Sequence, residues 1–192
     1  MAIGGDKPDV RERMIESAGA LFGERGYAAT GLRDVVAHSS TPRGSIYHHL
    51  PGGKAELAKA VLERAGASAA AACEAHADDP LAALQACLDS WRAALQASEY
   101  RAGSPMLAIA LEPDEQTGAR AAATAAFARW EEALAASLQE GGVKRKKAAR
   151  LATLAVAAIE GAVVLSRARG DSEPLDAVGR ELEAAFEAAR RR

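Results

Sequence analysis

Residues 41–62 read TPRGSIYHHLPGGKAELAKAVL, and the reading of this stretch decides the fold. Thr41 suits a helix N-cap, Pro42 suits the first helical position after it, and Ile46 and Leu50 stand one turn apart on an inner face. Upstream, Thr30 suits the N-cap of another short helix, in which Leu32, Val35 and Val36 turn inward and Asp34 meets the positive end of the dipole. That helix ends near His38, so a tight turn around Ser39, Ser40 and Thr41 joins the two. The spacing predicts a helix-turn-helix, whose second helix is gripped by its inner face and lays its outer face in a major groove. That outer face carries Arg43, Ser45, Tyr47 and His48, which supply donors, a hydroxyl and a ring at the height of base edges and phosphates. Gly44 costs up to about 1 kcal/mol inside a helix, and close approach to a nucleic-acid backbone accounts for it. Lys54 falls in the first turn of the next helix, where a cation opposes the macrodipole; a phosphate held by Lys54 and the free amides after Gly52 and Gly53 reverses that penalty. His48 and His49 are neighbours pointing about 100° apart with no acid or cysteine near them, so no metal site is expected.

The rest of the chain limits what can surround this stretch. Its 192 residues suit one or two domains, and alanine and leucine dominate while aromatic residues are few, so the class is all-α. No apolar run is expected to span a bilayer and the N-terminus lacks a signal-peptide core, which predicts a cytoplasmic protein with no membrane partner, nucleoid-associated when bound to DNA. A net charge of −2 excludes a globally basic nucleic-acid binder but leaves room for a local basic surface. Cys73 and Cys87 form neither a disulfide framework nor a CxxC metal site and read as small core residues.

Helix punctuation divides the chain into nine helices. Met14, Ile15, Ala18, Leu21 and Phe22 give the first its buried face, with Gly26 as a left-handed C-cap. Leu57, Ala58, Val61, Leu62 and Ala65 line one face of the helix from Lys54, which ends near Gly66 unless the following alanine tract continues it. Asp79-Pro80 starts a helix with Leu81, Leu84, Leu88, Trp91 and Leu95 as its stripe, and Ser104-Pro105 starts a short one that Pro113 closes. Later helices run from about Thr117 to Glu140, from Lys144 to Arg169 and from Pro174 to Ala189. The expected division is a DNA-binding unit over residues 1–53 and a larger bundle over 54–192, with the helix from Lys54 as the connector.

Two surfaces are expected on the bundle. The helix ending at Arg169 is apolar nearly all round, and the last helix has its own apolar stripe. Gly161, Leu165, Leu175, Val178, Gly179, Leu182 and Phe186 are therefore the candidate interface of a two-fold homodimer, the two glycines allowing close helix approach. Trp91, Tyr100, Met106, Leu107, Phe127 and Trp130 concentrate the large adaptable side chains, so they are the candidate lining of a pocket for a small, largely apolar ligand. No catalytic set converges and no cofactor is expected: His76 reads as solvated, and Glu160, set in an apolar stretch, as hydrogen-bonded or facing a partner chain. An enzyme on a helical bundle and a purely structural module remain alternatives at this level; neither accounts for the donor-rich face around Tyr47.

The segment IESAGALFGERGYAATGLRDVVAHSSTPRGSIYHHLPGGKAELAKAVL, about residues 15–62, resembles the TetR/AcrR family of transcriptional regulators. The PGGKAEL segment, with GSPMLAIALE and AIEGAVVLSRARGDSEPL further on, is similar to its LmrA/YxaF-type branch, which contains multidrug-resistance regulators. The resemblance implies a homodimeric repressor of nine helices, released by an inducer, that binds a palindromic double-stranded operator near an efflux or metabolic gene. It implies DNA contacts at Thr30, Arg43, Gly44, Ser45, Tyr47, His48 and Lys54, with Thr41 at the head of the same segment. Leu50 stands where the family more often has phenylalanine.

Overall fold

The structure, a computed structural model, describes residues 9–42, 44, 46–112 and 118–190, apart from the side chain of Ile46. Among them the chain forms nine helices and no strand: α1 Val10–Arg25, α2 Leu32–His38, α3 Ile46–His49, α4 Gly53–Glu74, α5 Pro80–Ala97, α6 Pro105–Ala110, α7 Ala119–Glu140, α8 Arg145–Arg169 and α9 Glu173–Arg190. The start of α7 expected at Thr117, and the closing Pro113, lie outside the described residues.

Met14, Ile15, Ala18, Leu21 and Phe22 are all buried, as the spacing in α1 predicts, and they meet Val35, Val36, Leu50, Leu57, Val61 and Leu62 in one core. Gly26 ends α1 with positive φ, but its ψ of 157° is extended rather than left-handed helical. The alanine tract does continue α4, because nothing breaks helix propensity before the turn at His76. Gly66, read as a stop, instead lies inside α4 where it crosses α7. A Cβ at Gly66 would sit 2.8 Å from the Ala126 Cα, so the two backbones touch. Gly66→Ala is expected to destabilise the protein by about 1 to 3 kcal/mol through this overlap with rigid backbone, read as a lower urea midpoint.

Asp79 caps α5 through its side chain, which accepts from the Leu81 N–H at 3.0 Å and the Ala82 N–H at 3.3 Å, and Ser104 caps α6 in the same way at the Leu107 N–H, 3.1 Å away. The helix α6 lies between α1 and α7, α8 packs on α7 and α9, and α9 covers α5.

This last contact puts part of the expected interface inside the protomer. Leu175, Gly179, Leu182 and Phe186 are buried inside the protomer and Val178 is half-buried against the same core. The stripe of α5 needs a cover, and Gly179 comes so close that an added Cβ would lie 2.8 Å from the Leu88 Cδ1. The outward face of α8 is different. Leu154, Val164 and Leu165 are 52%, 48% and 49% exposed, and nothing stands within 4 Å of the Cβ direction at Gly161. By length and composition alone α8 is apolar enough to cross a bilayer, contrary to the sequence expectation; half of its most apolar stretch is buried in the bundle core.

Candidate nucleic-acid interface

The frame of the interface is set where α1 ends. Thr30 is buried, and its hydroxyl donates to the Gly26 carbonyl at 2.9 Å and the Leu21 carbonyl at 3.3 Å. The expected cap of α2 is therefore one residue off: Gly31 is the N-cap, and its N–H donates to Asp34 Oδ2 at 2.8 Å. Unpaired carbonyls at the end of α1 claim the threonine hydroxyl, so its side chain has no free group for DNA and acts by fixing the start of α2. Ser40 adopts φ 51°, which makes the turn, and buried Thr41 places its hydroxyl 2.8 Å from that of Ser39. Thr41 thus staples the turn from inside rather than facing outward.

Beyond the turn, Tyr47 is 66% exposed and His48 is exposed beside it, its ring 5.0 Å from that of the half-buried His49. Leu50 is fully buried beneath them. Gly44 is exposed with open space around its Cβ direction. Arg43 and Ser45 lie outside the described residues, as does the side chain of Ile46. Tyr47 shares an open groove of about 770 Å³ with Leu32, Val36, Ala37 and Arg33, and this exposed arginine of α2 is a cation the spacing argument missed. Nothing in a hydropathy pattern marks it, because it sits on the polar side of a short helix.

Lys54 requires a second correction. Its position in the first turn of α4 is stabilised within the protein, since Nζ lies 4.3 Å above the Tyr27 ring and donates to the Ala28 carbonyl at 3.3 Å. The amides expected to be free are engaged as well. The Gly52 N–H donates to Glu56 Oε2 at 2.7 Å and the Gly53 N–H to the Leu50 carbonyl at 2.9 Å. Burial lowers the Lys54 amine from its ordinary value, while Glu112 acts against that shift.

Glu112 belongs to a set of bridges that sequence spacing did not reveal. Its Oε1 accepts the Ala28 N–H at 2.8 Å, so the chain just past α6 is tied to the loop that carries Lys54's carbonyl partner. Arg167 of α8 donates to the Gly23 and Glu24 carbonyls at 2.6 and 2.9 Å, and Arg101 pairs with Glu24 at 3.1 Å. Gly23 and Gly103 meet backbone to backbone, and a Cβ on Gly23 would overlap the Gly103 carbonyl. The sequence signals are an arginine in the last turn of an apolar helix and a glycine inside α1.

The pocket candidates divide between two cavities. Trp91, Met106 and Trp130 line about 190 Å³ between α4, α5, α6 and α7, with Cys87 in the wall. Its sulfur lies 3.6 Å from that of Cys73; sharing a hydrogen bond with Cys87 and burial push the Cys73 thiol up, which keeps it protonated. Leu107 and Phe127 instead line about 380 Å³ between α6, α7 and α8. Tyr100 lines neither, and its hydroxyl lies 3.2 Å from that of Ser172.

Comparison with known proteins bears on both halves. Residues 14–61 match the family described as bacterial regulatory proteins, tetR family, and residues 80–181 match the transcriptional regulator LmrA/YxaF-like, C-terminal domain. An HTH-type transcriptional regulator of Mycobacterium tuberculosis is 41% identical over 90% of this chain and 91% of its own length. The HTH-type transcriptional regulator LmrA of Bacillus subtilis is 32% identical over 87% of this chain and 91% of its own. Among solved structures, a TetR transcriptional regulator from Legionella pneumophila has the same fold, with a TM-score of 0.80 at 22% identity over 94% of this chain and 98% of that one.

Proposed function

From the premise that this chain belongs to the TetR family of bacterial transcriptional regulators, in its LmrA/YxaF-like branch, we propose that it is a ligand-released repressor that binds a palindromic operator as a homodimer. The bridges from α6 and α8 to the end of α1 carry this reading. A ligand that repacks the bundle moves Arg167 or Glu112, and through them Gly23, Glu24 and Ala28, on which the helix-turn-helix stands. In a two-fold dimer the recognition segments must reach successive major grooves about 34 to 36 Å apart, so a displacement of a few ångströms spoils the fit. The unit that reads DNA is residues 1–53, and residues 54–192 bind ligand and dimerise, with α4 shared between them.

The dimer surface is the outward stripe of α8, where Leu154, Ala157, Gly161, Val164, Leu165 and Ala168 recur at helical spacing and remain exposed in the protomer. Packed against its two-fold copy, this stripe buries the apolar side chains that the protomer leaves in water.

On the DNA side, Arg43 reads a base edge or an adjacent phosphate, Tyr47 and His48 fix the backbone, and Lys54 turns from Ala28 to a phosphate. Arg43→Ala is expected to weaken operator binding by about 1 to 3 kcal/mol and to relax specificity at one position of each half-site. Lys54→Ala weakens all sequences alike and flattens the salt slope by about one unit per subunit. An unchanged slope removes Lys54 from the phosphate set. The deciding experiment is a gel shift on the DNA upstream of the adjacent genes, with the inducer titrated in the presence and absence of operator. Coupling is reciprocal, so an inducer that weakens operator binding by about 1 to 3 kcal/mol binds the operator complex more weakly by the same amount.

A further inference from the structure

Glu160 is the least ordinary residue of the bundle. It sits in the middle of α8, 6% exposed, with only one of its oxygens satisfied. The Leu107 N–H donates to Ser104 Oγ at 3.1 Å, and the Ser104 hydroxyl in turn donates to Glu160 Oε1 at 2.9 Å. Oε2 is buried and has no hydrogen-bond partner among the described residues. An ionised carboxylate oxygen in that state needs a donor, and the described residues supply none.

Two cavities border the residue, and charge tells them apart. The one facing α1 also carries Glu24, Arg25 and Arg167. The other, about 380 Å³ between α6, α7 and α8, has Glu131 and Glu160 as its only charged members among the described lining residues, with Phe127, Leu107, Val156 and Val164 among the apolar ones; Ala157, Gly161 and Val164 also belong to the proposed α8 dimer stripe, so the cavity lies beside that seam. Two carboxylates in an apolar wall with no cation make a site of one sign. Its volume suits a small organic molecule. No cluster of three or more metal-ligating acids, histidines or cysteines exists among the described residues.

We propose that this cavity is the receptor for an organic ammonium ion on an aromatic body, with Glu160 Oε2 accepting the ammonium N–H, Glu131 adding to the field and Phe127 packing on the ring. The inference rests on the reading of the bundle as an inducer domain, and it changes the expected inducer from a largely uncharged apolar molecule to an apolar cation. Arg167 stands two turns along α8 from Glu160, and its guanidinium holds the end of α1. Drawing Glu160 toward a ligand therefore pulls on the helix that fixes the DNA-binding segment. Burial raises the Glu160 carboxyl to about 7, against the Ser104 hydroxyl, which lowers it. Among the described residues, the charged groups around it are Glu131 from α7, Arg167 from α8, and Glu24 and Arg25 from α1, with the Ser104 hydroxyl at the head of α6. An ammonium ligand binds the ionised form, so affinity rises with pH across that range.

The test uses a matched pair of fluorescent probes, 2-(1-naphthyl)ethylammonium and 2-(1-naphthyl)ethanol, titrated into the full-length protein and into Glu160→Gln between about pH 6 and 8. The ammonium probe stays protonated throughout. It is expected to bind at least about tenfold more tightly than the alcohol at the upper pH, and its affinity is expected to rise about tenfold over the range. In Glu160→Gln both the preference and the pH dependence disappear. Equal binding of the two probes, or a pH slope that survives in Glu160→Gln, overturns the proposal. Failure of both probes to bind also overturns it, and means that the partner subunit's α8 fills the cavity. The same titrations on the operator complex separate the two readings: ammonium binding that leaves operator affinity unchanged supports the site while removing its role as an inducer switch.

Discussion

With Leu165 replaced by glutamate, the protein is expected to sediment as a monomer at micromolar concentration and to lose its specific band on operator DNA, while its helix content stays unchanged. Leu165 is half-exposed in the protomer, so the substitution leaves the core alone. In the proposed dimer the same position is buried against a copy of itself, and the two-fold axis counts each change twice. Burying the half of one leucine that the protomer leaves exposed contributes about 0.8 to 1.5 kcal/mol, so the pair loses about 1.5 to 3 kcal/mol, and the burial of two unpaired charges adds to that. Together these weaken dimerisation by about a hundredfold or more. A monomer meets only one half-site, and operator affinity falls with it. Leu182→Ala is the contrast. Leu182 is 3% exposed inside the protomer, so this variant is expected to lower folding stability by about 2 to 5 kcal/mol without exposing the α8 face. A Leu165→Glu protein that remains dimeric places the interface elsewhere.

The second large effect is on stability. Glu160→Gln is expected to make the protein more stable than the wild type by about 3 kcal/mol near pH 8, with the difference vanishing below about pH 4.5. The carboxyl is raised from 4.5 to about 7 in the folded protein, chiefly by burial. Between these values the folded state holds a proton that the unfolded state has released, so wild-type stability falls as pH rises through that window and levels off above it. A shift of this size corresponds to about 3 kcal/mol. Glutamine keeps the shape and the hydrogen bond from Ser104, and it has no charge to bury. Urea unfolding at fixed protein concentration from about pH 4.5 to 8 reads the effect. Parallel curves for the two proteins mean that the carboxylate finds a donor within the dimer.

The helices themselves were legible in the sequence, and the reason is local. Alanine and leucine favour helix wherever they stand, Asp79 and Ser104 announce their helices by capping them, and Gly170 ends α8 in the left-handed region a C-cap requires. The core of the DNA-binding half followed from periodicity, since Met14, Ile15, Ala18, Leu21 and Phe22 have one helix face to bury and one place to bury it. The exposed side chains of Tyr47 and His48 followed in the same way, as the faces opposite Leu50.

What spacing could not supply was the identity of the neighbour. The stripe of α9 is as apolar as an interface, but only the packed fold shows that α5 covers it and that α8 is left bare. The same holds for Lys54, whose cation was rightly seen as opposed to the helix dipole, although its relief comes from Tyr27 and Ala28, 27 and 26 positions earlier in the chain. Thr30 has the residue type of a cap, yet the carbonyls of α1 are nearer and claim it. Amphipathic pattern and capping chemistry act within one or two turns, so a single sequence determines them. Which apolar face meets which, and whether a buried carboxylate such as Glu160 has one partner or two, depends on contacts between residues far apart in the chain, and only the tertiary structure decides it.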